Sequence, residues 1–472
     1  MTIVLSPTGG SADHDEALDR LVTGFELITA SSVDSLQVAA SLESIGITDQ
    51  VAHDRYGHHD VFALARELRA RWRAAGAPPG GTTDADAAPA PDPFGPSRVV
   101  HGFLYLLPAM CLPAVLALLD LRDAVIGLLV GGALGWVWTA ASSWVGYRLV
   151  GAGKAATAAT VVLRASLAGL VAALVAGSAV LLATGSLLAG CLCWAVTAYQ
   201  LATMALFFLE QRTWIFWTMW PSATAGVAYL VTGEPAESRR LVAVATAIGL
   251  TALLGVTARS VTRATRVADV APNAAASVLG TLPQLPRVVV HAALSAVFLL
   301  TAQAAFLFIS FDAAVALVGL IATMGFVEWR AAVVPQRIRR LLPQLTHPHE
   351  LRAAVPRVLA REVVLCGLAA GLLSVVVCIG LAFTRGLSTA GVVVAVSAVP
   401  LSAAYLLTFA HTNLDRYAWA VASLLLAVLV QVGLGLTPQV SWPEAFLVSS
   451  VVLLTALATG LVARPAPARS YQ

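Results

Sequence analysis

From residue 98 onward, long apolar runs alternate with short polar breaks. The apolar segments fall at 99–119, 124–147, 157–184, 187–209, 213–232, 240–258, 288–309, 312–334, 357–383, 389–410, 416–436 and 443–463. Each can cross about 30 Å of hydrocarbon as a helix, the conformation that satisfies every backbone polar group within one segment. The pattern predicts an all-α polytopic membrane protein of twelve transmembrane helices. Before residue 98 the pattern changes. "SLQVAASLESIGI" (35–47) and "DVFALARELRARWRAAG" (60–76) have the apolar spacing of amphipathic helices. In the second, Asp60 is placed as an N-cap, Val61, Phe62, Ala65, Leu68 and Trp72 form the apolar face, and Arg69, Arg71 and Arg73 sit where cations suit the helix dipole. "TDQVAHDRYGHHD" (48–60) reads as a short helix and a turn. Its His53, His58 and His59 lack the Cys or paired acidic ligands that would complete a metal shell.

The membrane segments repeat. "RVVHGFLYLL" from Arg98 returns 189 residues later as "RVVVHAALSAVFLL" from Arg287. The likeness continues with Asp123 opposite Asp312, Trp138 near Trp329, Arg164 opposite Arg361 and Arg212 opposite Arg416. Six segments per copy is an even number, so both copies start on the same side, as parallel repeats with a site at their interface. The expected organisation is a helical domain at 1–75, a Pro/Gly/Ala-rich linker at 76–97, six-helix bundles at 98–262 and 287–464 joined by 263–286, and a tail at 465–472.

Composition agrees with this pattern. The 472 residues are 58% hydrophobic and 12% charged, with a mean hydropathy of +0.81. Soluble domains carry about 25% charged residues. A net charge of +3 gives no case for a nucleic-acid partner. Cys111, Cys191, Cys193, Cys366 and Cys378 all sit in apolar runs and lack redox or zinc spacing, so they read as packing residues. The polar first 98 residues show no signal peptide, which puts the N-terminus in the cytoplasm. With that orientation, 19 of the 23 Lys and Arg residues after position 97 fall in or beside cytoplasmic loops. The outside loops hold Arg122, Arg239, Arg240 and Arg385. This is the positive-inside asymmetry of a protein in the cell membrane with both termini cytoplasmic.

The architecture resembles the multidrug/oligosaccharidyl-lipid/polysaccharide (MOP) exporter superfamily over about residues 98–464. The residues behind the resemblance are the basic connections after the second and eighth segments, "GYRLVGAGKAAT" and "RAAVVPQRIRRLLPQLTHPHELRAAVPR". The turns "EQRT" and "HTNLDR" after the fourth and tenth segments add to it. The resemblance implies a cavity lined by the first, second, seventh and eighth helices, and a polysaccharide or lipid-linked oligosaccharide flippase. The N-terminal head departs from the family. The signature that major facilitators carry after their second helix is missing from "GYRLVGAGK". Two other readings stand beside the first. One is a non-transporting scaffold for cell-envelope polysaccharide synthesis, with residues 1–75 recruiting cytoplasmic synthesis proteins. The other is a drug or ion antiporter of the same fold.

Ionisable groups at membrane depth are costly, and they mark candidate sites. Glu328 and Arg330 are expected at the cytoplasmic side of the eighth helix, paired with each other in the cavity or at the interface. Arg164, and Arg361 with Glu362, are candidates to grip a phosphate, against the alternative of snorkelling to headgroups. His101 and His291 begin the first and seventh segments, where they hold protons or pack at the interface. Gln200 and Gln303 suit sugar hydroxyls or interhelical hydrogen bonds. Trp220 is placed to stack on a sugar. No nucleophile–base–acid arrangement, phosphate-binding loop, cofactor motif or metal-ligand cluster is present, so the reading is a non-enzyme that needs no cofactor, with membrane lipids and its substrate as partners.

Overall fold

The computed structural model describes residues 17–18, 21, 35–44, 46–74, 97–152, 154–232, 236–267, 282–341, 348–384 and 386–463. The described residues are helical, without strands. The chain divides into two compact units, Met1–Pro93 and Phe94–Gln472.

In the first unit, α1 (Ser35–Ser44), α2 (Asp49–Tyr56) and α3 (Val61–Ala74) surround a small core. Val38, Leu42, Ala52, Val61, Leu64 and Leu68 are buried there. Asp60 caps α3 as expected: its carboxylate accepts from the Ala63 N–H at 2.6 Å. Asp49 accepts from the Val61 N–H at 2.9 Å and so ties α2 to α3. Gly57 ends α2 at φ 70°, the left-handed conformation glycine adopts without a steric cost. One detail differs from the expected face. Phe62 is exposed and Leu64 is buried, because Val61, Leu64, Ala65 and Leu68 keep the i, i+3, i+4, i+7 spacing that Phe62 breaks. The Trp72 side chain lies outside the described residues.

In the second unit a helix covers each of the twelve apolar segments. They are α4 (Ser97–Leu116), α5 (Leu121–Gly151), α6 (Ala155–Thr184), α7 (Leu187–Phe208), α8 (Thr213–Thr232) and α9 (Ala236–Val267), then α10 (Leu285–Ile309), the short α11 (Phe311–Ala316) continued by α12 (Val318–Leu341), α13 (Pro348–Thr384), α14 (Thr389–Asn413), α15 (Tyr417–Gly435) and α16 (Trp442–Ala463). Over the described residues, ten helices are long and apolar enough to cross a membrane, and α4 contributes a shorter apolar stretch, Leu104–Leu116. The chain is a multi-pass membrane protein.

Packing partners recur between the two sets of six. In the first set α5 packs on α6 and α7, α6 on α7, α4 on α8 and α9, α7 on α8 and α9, and α8 on α9; α6 also packs on α9, a contact the second set does not repeat to the same extent. In the second, α12 packs on α13 and α14, α13 on α14, α10 on α15 and α16, α14 on α15 and α16, and α15 on α16. The connecting turns recur as well. Glu210 and Asp415 adopt left-handed φ of 56° and 55°. The next residues, Gln211 and Arg416, donate backbone bonds of 2.8 Å to Leu206 and His411. This register sets Arg416 opposite Gln211, one residue from the Arg212 alignment read from the sequence. Contacts between the sets run through α5 on α10 and α4 on α12.

Small residues allow the closest approaches. A Cβ on Gly131 of α5 would collide with the Cys193 carbonyl of α7, and one on Gly226 of α8 with the Met110 carbonyl of α4. Helices that cannot gain from hydrophobic segregation in lipid associate through this kind of backbone contact. Exposed apolar stripes run along the opposite faces. On α6 the stripe includes Leu167, Val171, Leu174, Val175 and Leu182; on α13 it includes Val364, Leu368, Leu372, Val375, Ile379 and Phe383.

Candidate functional site

The seam between the two sets of helices carries the first cluster of polar chemistry. On its α4–α12 side, the Tyr105 hydroxyl donates to Glu328 Oε1 at 3.0 Å. Tyr105 also packs against Phe207, ring centroids 5.8 Å apart. On the α5–α10 side, Leu300 fills the space beside Gly132. Near the start of α5 the seam widens into an open, apolar groove of about 440 Å³ lined by Val125, Leu129, Ala304, Phe308 and Trp442, among others. At the other end of α5, Arg148 donates to the Gln284 side chain, and its guanidinium lies 5.0 Å over the Trp144 ring.

The second cluster is buried between α12 and α13. Glu362 is fully buried and accepts from two arginines: Arg330 through one carboxylate oxygen and Arg337 through the other. Arg330 is itself buried, with its guanidinium 4.9 Å from the Trp329 ring centroid. Arg337 keeps about a third of its side chain exposed, at 31%. Arg330 and Arg337 are seven residues apart, two helical turns, so one face of α12 presents both to α13. Burying a charge costs several kcal/mol, and close pairing with additional hydrogen bonds offsets it. Two cations on one carboxylate leave the cluster with a net positive charge.

This arrangement corrects the expected Glu328–Arg330 pair. Residues two apart on a helix point about 200° from one another and do not meet. Glu328 therefore faces α4 and Arg330 faces α13. Sequence reading missed two partners, Tyr105 and Arg337. Tyr105 lies within the repeated opening stretch, and Arg337 shares a helix face with Arg330; both signals were available.

The remaining predicted residues are dispersed. Arg164 and Arg361 are exposed. Each stands at one end of an exposed apolar stripe, Arg164 in line with Leu167 and Val171, and Arg361 in line with Val364 and Leu368. Both therefore lie on the outer surface of their bundle. Trp220 is 38% exposed on α8 and stacks on Phe216 at 4.9 Å. Gln200 donates to the Gly132 carbonyl at a long 3.5 Å, an α7–α5 contact. Gln303 is half-buried on α10, two residues from Thr301 of the groove. His291 meets the Tyr417 ring edge-on at 6.0 Å. The His101 side chain lies outside the described residues. A further buried amide was not anticipated: Gln431 of α15 donates to the Phe298 carbonyl at 3.1 Å and to Thr301 Oγ1 at 3.0 Å.

No protein-family model matches the chain, and no curated protein matches it. Among solved structures, the chain is similar to an inward-facing multidrug resistance MATE family transporter of the MOP superfamily. The identity is 12% and the TM-score 0.45, over 76% of this chain and 92% of that one.

Proposed function

We propose that the chain is a membrane transporter of the flippase type. It moves a lipid-linked oligosaccharide or polysaccharide intermediate outward by alternating access of two parallel six-helix halves, 98–262 and 287–464. The observation that carries this reading is the seam. The second helix of one half packs on the first of the other at α5–α10, and again at α12–α4. Two copies joined by exchanged, equivalent contacts can rock about the seam while each bundle stays intact, and repeat-built transporters hold their sites at that interface. The apolar groove beside α5 and α10 suits hydrocarbon, and the Tyr105–Glu328 pair offers polar contacts. The net positive Arg330–Glu362–Arg337 cluster, on the opposite face of the seam helix α12, ties that helix to α13 of its own half. The arginine distribution supports the cell membrane with both termini cytoplasmic. The head at 1–75, on the linker 76–97, is then positioned to recruit cytoplasmic polysaccharide-synthesis proteins.

One observation favours a second reading. A buried carboxylate within one half, Glu362, is the kind of group that an ion-coupled drug antiporter carries. Reconstitution separates the readings. The full chain is placed in liposomes, and transbilayer movement of a fluorescent polyprenyl-pyrophosphate saccharide is followed. Movement should stop when cysteines replacing Tyr105 and Glu328 are cross-linked, and resume on reduction. Full-rate movement with the seam cross-linked would remove the rocking mechanism. Proton- or sodium-driven movement of an organic cation, with none of the saccharide, would install the antiporter. Binding of synthesis proteins without movement of either would leave the scaffold.

A further inference from the structure

The arginines of the α12–α13 connection exceed what orientation requires, and the first half supplies the control. Between α5 and α6 the chain carries Arg148, Lys154 and Arg164; between the equivalent points of the second half it carries seven arginines, from Arg330 to Arg361. Both connections have the same topological duty, so topology does not explain the excess. Glu362 takes up Arg330 and Arg337. Arg340, Arg357 and Arg361 are exposed. Arg340 lies three residues after Arg337 on α12, Arg361 is next to the Glu362 that Arg337 contacts, and Arg357 lies one helical turn before Arg361 on the same face. The result is a positive surface patch centred on Arg337.

The surroundings of this patch restrict what it can bind. Arg361 heads the exposed stripe of Val364, Leu368, Leu372, Val375, Ile379 and Phe383, which continues along α13 away from the arginines. A ligand that satisfies both surfaces is amphipathic, with an anionic end on the guanidiniums and hydrocarbon along the helix. We propose that Arg340, Arg357 and Arg361, with Arg337, hold the headgroup of an anionic phospholipid of the cytoplasmic leaflet, its acyl chains lying on the α13 stripe. The planar guanidinium fork matches a phosphodiester, and basic clusters at this depth select anionic over zwitterionic lipids. The equivalent stripe on α6 has Arg164 as the one arginine on its helix, and Arg148 of the preceding helix is taken up by Gln284, so the arginine cluster belongs to the second half. Arg361 then serves a resident lipid rather than the transported substrate.

The test uses the full chain in nanodiscs of mixed phosphatidylcholine and phosphatidylglycerol, released into the gas phase for native mass spectrometry. Wild type should retain phosphatidylglycerol in preference to phosphatidylcholine. The preference should fall about fivefold for each arginine removed in the series R340Q, R357Q, R361Q, and R164Q should leave it unchanged. Undiminished retention in the triple variant would overturn the site, as would equal retention of both lipids by wild type. An arm without variants keeps the question decidable if the triple variant misfolds. Phosphatidylglycerol should raise the wild-type unfolding midpoint and inorganic phosphate should not; an equal rise with inorganic phosphate would assign the patch to a soluble anion and overturn the lipid. None of these outcomes depends on what the seam transports.

Discussion

Glu362 holds two arginines with one carboxylate, and removing it exposes the cost of that arrangement. Glu362→Gln leaves Arg330 buried without a counter-ion, and the expected loss is about 3–5 kcal/mol. Replacing both partners, Glu362→Leu with Arg330→Met, should recover most of it, because a buried pair exchanged for apolar groups of similar volume is often neutral. Unfolding in detergent by a thiol-reactive dye checks this. A double variant as unstable as the two single losses added together would show that the residues do not act as a pair. Tyr105 is a gentler case. Tyr105→Phe removes one hydroxyl from the seam, and the expected loss is about 1 kcal/mol. Its larger effect should be on the transport rate in liposomes, since the bond joins parts that are proposed to move. Glu210 and Asp415 present the opposite situation, with left-handed backbone at residues that carry a Cβ. Glycine at either position should raise stability by about 1 kcal/mol, while Glu210→Val should lower it.

At the scale of the element, α3 of the head gives a prediction about pH. Asp60 is held below the usual aspartate range, chiefly by the Ala63 N–H and next by the His59 side chain. A lowered folded-state value means that the ionised form favours the fold. The contribution is present above the unfolded-state value and is lost as pH falls through the folded one. The head should therefore lose helical circular dichroism as pH drops below about 4. Asp60→Asn keeps a capping oxygen that does not titrate, and it should flatten that loss; an unchanged acid transition in Asp60→Asn would remove Asp60 as its cause. Among the membrane elements, α4 and α8 touch backbone to backbone at Gly226. Gly226→Leu should push them apart and lower the yield of folded protein, whereas the same change at Gly255, where a Cβ meets open space, should be tolerated.

At the scale of the molecule, each set of six helices has its own core, one centred on Leu107, Leu206 and Leu253, the other on Phe298, Leu401 and Phe446. Chains cut between 267 and 282 and co-expressed should therefore reassemble and co-purify through the α5–α10 and α4–α12 contacts. Failure to associate, with each piece folded, would show that the connection rather than the seam holds the halves together. Removing residues 1–97 should leave a membrane unit that still inserts, since the chain divides into separate compact units near residue 93. Loss of insertion would show that the head has a role in assembly.

Composition and periodicity alone determined that the chain is helical, that it enters the membrane, and where its helices lie. In lipid each segment must satisfy its own backbone, and an apolar run of sufficient length has no other structure to adopt. The Asp60 cap was legible for a similar reason, because the bond reaches only three residues along the chain. The site was legible as a set of unusual residues, since an ionisable group in an apolar run stands out wherever it points. Its connectivity was decided by tertiary structure. Glu362 and Arg330 are 32 residues apart, and Tyr105 and Glu328 are 223 apart; neither distance leaves a local pattern. The azimuth of each residue on its helix, together with the neighbour that each helix face meets, sent Glu328 to α4, Arg330 to α13 and Arg361 to the exposed surface. Only helix packing sets those neighbours, because the energy that chooses among them comes from close contact between faces far apart in the chain.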